Sequence, residues 1–237
     1  MSLGGPPVRR LRMKYTKGEP LRYASHLDMM RVWERAFRRA GLPVAHTQGF
    51  NPRPRIGMAC PLPTGVTSRA ELLDVFLTEP LDAGEVSLKL NGTLPAGVEV
   101  LSVQEVGLSL PALMALPAMV EYQSRVRWSG TPESLEAILQ GWMAQPSVIR
   151  ERTRKDRKDT YDLRPLVESL WLIGRIGEEW ALGMRLRSGP NGTGRPDETL
   201  KALGLWEGAR GVERTELLLP ETGTAVQTSE VPETSEV

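Results

Sequence analysis

The chain has 237 residues, of which 40% are apolar, and its formal net charge is +1. This length predicts one large or two small domains, with enough apolar side chains to bury real cores. No apolar run of about 18 residues is present, so no membrane span is expected. The single cysteine excludes an intramolecular disulfide. We therefore expect a cytoplasmic protein of bacterial type.

The first domain is predicted to span residues 8–107, after a short leader or cloning scar at residues 1–7. Apolar periodicity and turn residues predict strands at 8–17, 56–60, 70–77 and 98–106, and helices after Ser25 and over 82–90. The resulting order, β-α-β-β-α-β, is that of a ferredoxin-like (split β-α-β) domain.

The first helix is predicted to carry an apolar face and a basic stripe. Ser25 and Asp28 form the S-x-x-D pattern of a helix start, and Gly41 with Pro43 ends the helix. Three- and four-residue spacing predicts a buried face of Leu27, Met30, Trp33, Phe37 and Ala40. The same spacing places four arginines on the opposite side: Arg31, Arg35, Arg38 and Arg39.

The loop 49–57 that follows displays Phe50, Arg53 and Arg55 between two prolines, which order the backbone before any ligand arrives. Residues 8–57 contain twelve Lys and Arg against three acidic residues, a net charge of +9, so the rest of the chain carries −8. Exposed guanidinium groups and an aromatic ring suit phosphate-backbone binding. We therefore predict a nucleic-acid-binding face of Arg22, Arg31, Arg35, Arg38, Arg39, Phe50, Arg53 and Arg55. The alternative is a merely solvated helix face whose arginines pair with acids elsewhere.

The second half is predicted to repeat the same order after a linker at 108–118. Strands are expected at 120–128, 147–153, 160–164, 180–187 and 212–219, with helices over 131–143 and after Pro196. This gives a C-terminal ferredoxin-like domain at 119–219, followed by an acidic tail at 220–237 that we expect to be disordered. The predicted fold class is α+β, built from two tandem ferredoxin-like halves.

Two basic segments of the second half have alternative interpretations. The turn at residues 150–158 is rich in Arg and Lys but diluted by acids, and a soluble turn is favoured. The loop 188–196 combines three glycines with an arginine before a helix, which suits an anion. Its candidate residues are Gly189, Gly192, Gly194 and Arg195. A long hairpin connection that needs positive φ explains the glycines equally well.

Five strings of the sequence carry a family resemblance: LRYASHLD at 21–28, RRAGLP at 38–43, GFNPRPR at 49–55, DLRP at 162–165 and GTGRPDE at 192–198. Together they resemble the radical SAM-associated domain-of-unknown-function family, which is found beside, or fused to, a B12-binding radical SAM protein. The resemblance covers residues 8 to about 218. It implies a bacterial accessory protein in RNA or ribosome-related modification, with tRNA or ribosomal RNA and the B12-binding radical SAM protein as partners. The resemblance also implies candidate functional residues in this chain, at the positions that recur in the family: Arg22, Tyr23, Ser25, His26, Asp28, Gly49, Phe50, Pro52, Arg164 and Arg195.

The chain is not expected to perform radical chemistry itself, because a radical SAM cluster needs three cysteines and Cys60 stands alone. A zinc site is not expected either, since His26, His46, Cys60 and Asp28 lack the paired spacing of zinc ligands. We predict no metal and no cofactor.

Two other functions remain open. In outline, the architecture is similar to that of the CRISPR repeat-processing endoribonucleases. In a metal-independent mechanism of that kind His26 would be the general acid or base, and Tyr23 with an arginine would steady the phosphate. Alternatively, the domain is a protein-interaction module that docks the radical SAM partner through its basic face.

Overall fold

The computed structural model describes residues 5–154, 157–190, 192–220 and 226–230, without the side chains of 153, 154, 157 and 226–230. The chain divides into two compact units, one made of residues 1–116 with 220–237 and the other of residues 117–219. The boundary at Leu116 and Pro117 falls inside the segment interpreted as a linker. Both units mix helices with antiparallel strands, so the predicted α+β class is confirmed.

The first unit has the predicted order of elements. These are β1 (Arg9–Lys17), α1 (His26–Arg39), β2 (Ile56–Met58), β3 (Val66–Leu77), α2 (Ala83–Leu90) and β4 (Val100–Val106). β1 pairs with β3 and β4, and β2 pairs with β3, all antiparallel, which gives the strand order β2-β3-β1-β4.

The core of the first unit lies between this sheet and its helices. Alternate residues of β1, among them Leu11, Met13 and Tyr15, are buried in one apolar cluster with α1 and α2. The Trp33 ring lies edge-on to the Tyr15 ring at 4.9 Å between centroids. The predicted helix face is partly wrong, because Leu27 is 66% exposed. The buried residues of α1 are instead Met29, Trp33, Ala36 and Phe37.

A buried charge network lies on the alternate positions of β1 and β3. The Asp74 carboxylate accepts hydrogen bonds from Arg10 Nε at 2.9 Å and from Arg12 Nε at 2.8 Å. Arg10 also donates to the carbonyl oxygens of Leu110 and Pro111. The segment after β4 is therefore anchored to the first unit by Arg10.

The second unit contains more strands than predicted. Its elements are β5 (Ala118–Val126), α3 (Pro132–Met143), β6 (Ile149–Arg154), β7 (Arg157–Asp162), β8 (Val167–Ile176), β9 (Glu179–Gly189), β10 (Gly192–Thr193), α4 (Pro196–Ala202) and β11 (Ala209–Leu218). Its antiparallel strand order is β11-β5-β9-β8, and β10 also pairs with β9.

Strand β8 corrects the predicted role of the basic hairpin. The predicted hairpin exists as β6 and β7, but these strands form a separate two-stranded sheet. β8, which the sequence analysis missed, takes the place beside β9 instead. Trp171 of β8 lies opposite Gly183 of β9, where any Cβ would fall 2.0 Å from the indole. Gly183 therefore makes room for Trp171 against the sheet.

The chain returns to the first unit near its C-terminus. Within the segment predicted to be disordered, β12 (Val226–Glu230) pairs antiparallel with β4, which differs from that expectation for these five residues. The rest of the predicted tail, apart from Pro220, and residues 1–4 of the leader lie outside the described residues. So do Lys155 and Asp156 of the basic hairpin.

Candidate nucleic-acid interface

A complete capping box fixes the start of α1. The Ser25 hydroxyl accepts from the Asp28 N–H at 3.2 Å, and Ser25 N donates to Asp28 Oδ2 at 3.0 Å. Hydrogen bonds from the Ser25 hydroxyl and backbone hold the pKa of Asp28 below its usual value. The S-x-x-D prediction is confirmed, and the helix that carries the four arginines therefore begins at a defined residue.

All four arginines of the predicted stripe are exposed, but they differ in their partners. Arg31 pairs with Asp28 at 3.4 Å, and Arg39 donates to the carbonyl of Thr93. Arg35 and Arg38 form no ion pair or side-chain hydrogen bond with any residue that the structure describes. Two guanidinium groups, three residues apart on one helix face, are therefore available to a ligand.

Residues 45–55 form a closed loop, which we call the Phe50 loop. Thr47 N donates to Arg53 O at 2.8 Å, and Arg55 N donates to Ala45 O at 2.7 Å. Gly49, at φ +128°, turns the chain at the tip in a conformation that favours glycine. The side chain of Phe50 is fully exposed, with a relative accessibility of 106%. The loop thus presents an apolar ring to solvent on an ordered base.

The two arginines of the Phe50 loop have different environments. Arg53 is exposed and makes no side-chain hydrogen bond or ion pair within the described ranges. The Arg55 guanidinium lies 4.3 Å from the centroid of the Phe76 ring. The Arg10 guanidinium lies 5.1 Å from the centroid of the same ring. Arg53 is therefore the cation of this loop that is available to a ligand. Arg55 instead helps to hold the loop on β3 through its contact with the Phe76 ring.

Arg22 and Tyr23 lie at the opposite end of α1. Arg22 Nε donates to the carbonyl of Gly65 at 2.7 Å, and its guanidinium lies 5.6 Å from the centroid of the Tyr23 ring. Buried Lys17 donates to the carbonyls of Arg22 and Ala24, which fixes this segment before the helix. The ring of Tyr23 is 74% exposed. Arg22 is thus engaged by the backbone, while Tyr23 is open to solvent.

His26 is half-buried at the first position of α1. It lines a cavity of about 10 Å³ together with Tyr15, Lys17 and Glu71. Burial lowers the pKa of His26, an effect that the nearby Glu71 carboxylate partly offsets. The imidazole is therefore held in its neutral form near pH 7, as proton transfer by a general base requires.

The predicted catalytic pair and the available arginines do not come together. His26 is the first residue of α1, and Arg38 follows twelve residues later. At 1.5 Å per residue these positions are about 18 Å apart along the helix axis. The arginines of the predicted face that lie nearer to His26 in the chain are Arg22 and Arg31, and both already have partners, the Gly65 carbonyl and the Asp28 carboxylate.

Three cations counted in the basic segment are not available to a ligand. Arg10, Arg12 and Lys17 are all buried, and Glu71 and Asp74 are the buried acids of the same unit. A count of charges along the sequence does not reveal this buried group. In the sequence of β1, basic residues alternate with apolar ones. This alternation places the two kinds of side chain on opposite faces of the strand, and both faces of this sheet are covered.

The glycine-rich loop of the second unit is a tight hairpin. Gly189 pairs with Gly192, which has φ +137°, and Gly194 N donates to Arg187 O at 2.8 Å. A Cβ at Gly194 would lie 2.7 Å from the Leu166 carbonyl oxygen. This geometry favours the hairpin interpretation of the glycines, and the anion site stays a prediction.

Arg195 of this loop is already paired. Its guanidinium donates to Asp197 Oδ1 at 3.0 Å and to Asp197 Oδ2 at 3.1 Å, and this hydrogen bonding raises the pKa of Arg195. Asp197 and Glu198 occupy the first turn of α4, where their charges compete with any anion. We therefore place the candidate interface on the first unit.

Arg164, another residue of the family strings, has a structural role. Its guanidinium donates to the carbonyl of Met143 at 2.8 Å and to that of Val167 at 2.9 Å. It joins the end of α3 to the start of β8. Its three side-chain hydrogen bonds within the described residues all go to backbone carbonyls, so we do not include it in the candidate interface.

Comparison with known families identifies the chain. The family model "Uncharacterized protein conserved in bacteria (DUF2344)" matches residues 10–196. The chain belongs to this family. The match runs from the second residue of β1 to the first residue of α4, and thus includes the whole candidate interface. No curated protein matches the chain.

Two solved structures show a partial likeness to the chain. One is a Cbf5-Nop10-Gar1 complex, at 11% identity and a TM-score of 0.47, with 89% of this chain and 49% of that chain covered. Another is the archaeal box H/ACA sRNP Nop10-Cbf5 complex, at 12% identity and a TM-score of 0.43, with 90% and 52% covered. The chain thus spans about half the length of the chains that it matches. Within the described residues, no helix has the length and apolar character needed to cross a membrane.

Proposed function

We propose that this protein is an accessory RNA-binding protein that holds tRNA or ribosomal RNA for a B12-binding radical SAM enzyme. The observation that carries the RNA-binding proposal is the set of exposed guanidinium groups of Arg35, Arg38 and Arg53, which have no partner among the described residues, together with the exposed ring of Phe50, three residues before Arg53. The partner enzyme rests on the family resemblance of the sequence strings. It would supply the radical chemistry, for which this chain, with one cysteine, lacks a cluster site.

We also propose that each unit is a ferredoxin-like domain. The supporting observation is the strand order, β4-β1-β3-β2 in the first unit and β11-β5-β9-β8 in the second. In chain order, one helix follows the first strand of each unit, α1 after β1 and α3 after β5. Another helix precedes the last strand, α2 before β4 and α4 before β11. The β6–β7 hairpin is then an insertion between α3 and β8.

The electrostatics of the interface favour a polyanion. Each phosphate that an arginine neutralises releases counterions, so three contacts predict a slope of log K against log salt of about −2 for single-stranded RNA. An arginine with no carboxylate partner loses no internal ion pair when it binds. Arg35, Arg38 and Arg53 are such residues, whereas Arg31 would first have to leave Asp28.

The test is a salt titration of RNA binding. Labelled bulk tRNA and ribosomal RNA fragments are incubated with the protein in EDTA and resolved on native and denaturing gels. We expect Arg35→Glu and Arg53→Glu to weaken binding and to reduce the salt slope by about 1 each. Arg175→Glu is the matched control, because Arg175 is also exposed but lies on β8 of the second unit, outside the candidate interface. If both reversals bind as the control does, the basic-face proposal is wrong.

A metal-independent endoribonuclease is the second candidate, and the neutral His26 beside Glu71 and Lys17 is the observation that favours it. The denaturing gel tests this candidate directly. Cleavage in EDTA that His26→Ala abolishes while RNA binding survives would support it. An equally active His26→Ala protein would remove the assignment. Absence of any gel shift would instead favour a protein-interaction module that docks the radical SAM partner.

A further inference from the structure

The Phe50 loop carries a feature that phosphate binding alone does not require. A side chain that contacts only phosphates needs charge, yet the most projecting group of the loop is the apolar ring of Phe50, which is fully exposed. No aromatic or cation–ring partner of this ring is found among the described residues. Arg53, three residues further on and at the closed base of the loop, supplies an unpartnered cation. A flat apolar surface with a neighbouring guanidinium matches a nucleotide, which joins a flat base to a phosphate.

We infer that the RNA bound here is single-stranded, and that its unpaired bases stack on Phe50 and, at the other end of α1, on Tyr23. This inference rests on the proposed RNA-binding function and specifies its substrate class. In a duplex the faces of the bases are covered by their neighbours, and A-form grooves offer only edges, sugars and phosphates. A projecting aromatic ring can therefore stack only on a base that is not already stacked inside a helix.

The loop is ordered in advance for this contact. Backbone hydrogen bonds between Thr47 and Arg53 and between Ala45 and Arg55 close its base. Ala45 N also donates to the carbonyl of Phe76, which attaches the loop to β3. Little conformational freedom is therefore lost when a base stacks on the ring, so the stacking energy appears as affinity.

A second ring lies at the far end of the basic stripe. Leu27, Arg31, Arg35 and Arg38 are all exposed and follow one another at steps of four, four and three residues along α1. Tyr23 lies outside the helix, two residues before its N-cap Ser25, and its ring is exposed on a segment that Lys17 fixes. In chain order, an exposed aromatic ring precedes α1, exposed arginines follow along the helix, and the Phe50 loop comes after its end.

The test compares a 12-nucleotide single-stranded RNA with the blunt duplex of the same sequence, by fluorescence anisotropy at one salt concentration. We expect the single strand to bind more tightly. Phe50→Ala should weaken the single strand about tenfold and leave the duplex unchanged, and Phe50→Tyr should restore binding. Tyr23→Ala should have a similar effect, while Tyr23→Phe should bind as the unmodified protein does, because stacking uses the ring and not the hydroxyl.

Each outcome separates this inference from the function on which it rests. Equal affinity for both RNAs, or equal losses for both in Phe50→Ala, would overturn the single-strand inference and leave RNA binding through the arginines intact. Absence of binding to either RNA by the unmodified protein would overturn both. Because Phe50 is fully exposed, Phe50→Ala is expected to keep its thermal midpoint, so a loss of affinity cannot be assigned to unfolding.

Discussion

Removal of the Asp74 carboxylate should strongly destabilise the first unit. Asp74 is 1% exposed and accepts four hydrogen bonds from Arg10 and Arg12, both of which are buried. Asp74→Ala would leave two guanidinium groups without the carboxylate, and breaking a buried pair in this way costs about 3–5 kcal/mol. We expect the free energy of unfolding to fall by that amount.

Urea unfolding followed by circular dichroism measures the loss, and hydrogen exchange in peptides from β1 and β3 assigns it to the first unit. Glu168→Ala is the matched control, since Glu168 forms an exposed pair with Arg187 whose side chains are 39% and 54% accessible. Exposed pairs contribute at most about 1 kcal/mol. If Asp74→Ala loses no more stability than this control, the buried network is not a determinant of the fold.

Two further predictions concern Gly183 and His26. Gly183→Ala should destabilise the protein by about 2 kcal/mol, because its Cβ would overlap the Trp171 ring, and Gly183→Ala combined with Trp171→Leu should recover part of that loss in urea unfolding. Full stability of Gly183→Ala alone would contradict the overlap. The imidazole of His26 should titrate below pH 6.5 by NMR, because burial disfavours its charged form. Below that pH the unfolded chain binds the proton first, so stability should fall from about pH 6.5 towards the folded pKa, and His26→Gln should remove this part of the pH dependence.

Local patterns predicted the helices well. The Ser25–Asp28 capping box, the proline after Thr131 and the apolar spacing around Trp33 all act within one turn of the chain, so they can be recognised without knowledge of the fold. The error at Leu27 has a physical reason. At about 100° per residue, Leu27 lies about 120° around the helix from Trp33, whereas Met29 lies about 40° from it, because successive three-residue steps drift away from the buried face.

Features that depend on distant residues were missed. β8 owes its place to pairing with β9, and Trp171 is accommodated only because residue 183 is a glycine. In the candidate interface, exposure of Arg35 and Phe50 agrees with the sequence prediction, but the burial of Arg10 and Arg12 does not follow from charge alone. Asp74 is more than sixty residues away in the chain, and only the register of β1 with β3 brings it opposite Arg12.

The return of the chain to β4 affects the timing of folding during synthesis. β4 ends at Val106, and the strand that covers its outer edge ends at Glu230, about 124 residues later. At about 5–20 residues per second, a ribosome needs on the order of 6 to 25 s to make that length. Throughout this interval the N–H and C=O groups on the outer edge of β4 lack β12, and an open strand edge is a pairing site for other chains. Until β12 has been synthesised, the open edge of β4 is therefore a site at which neighbouring nascent chains on the same messenger RNA can pair with one another.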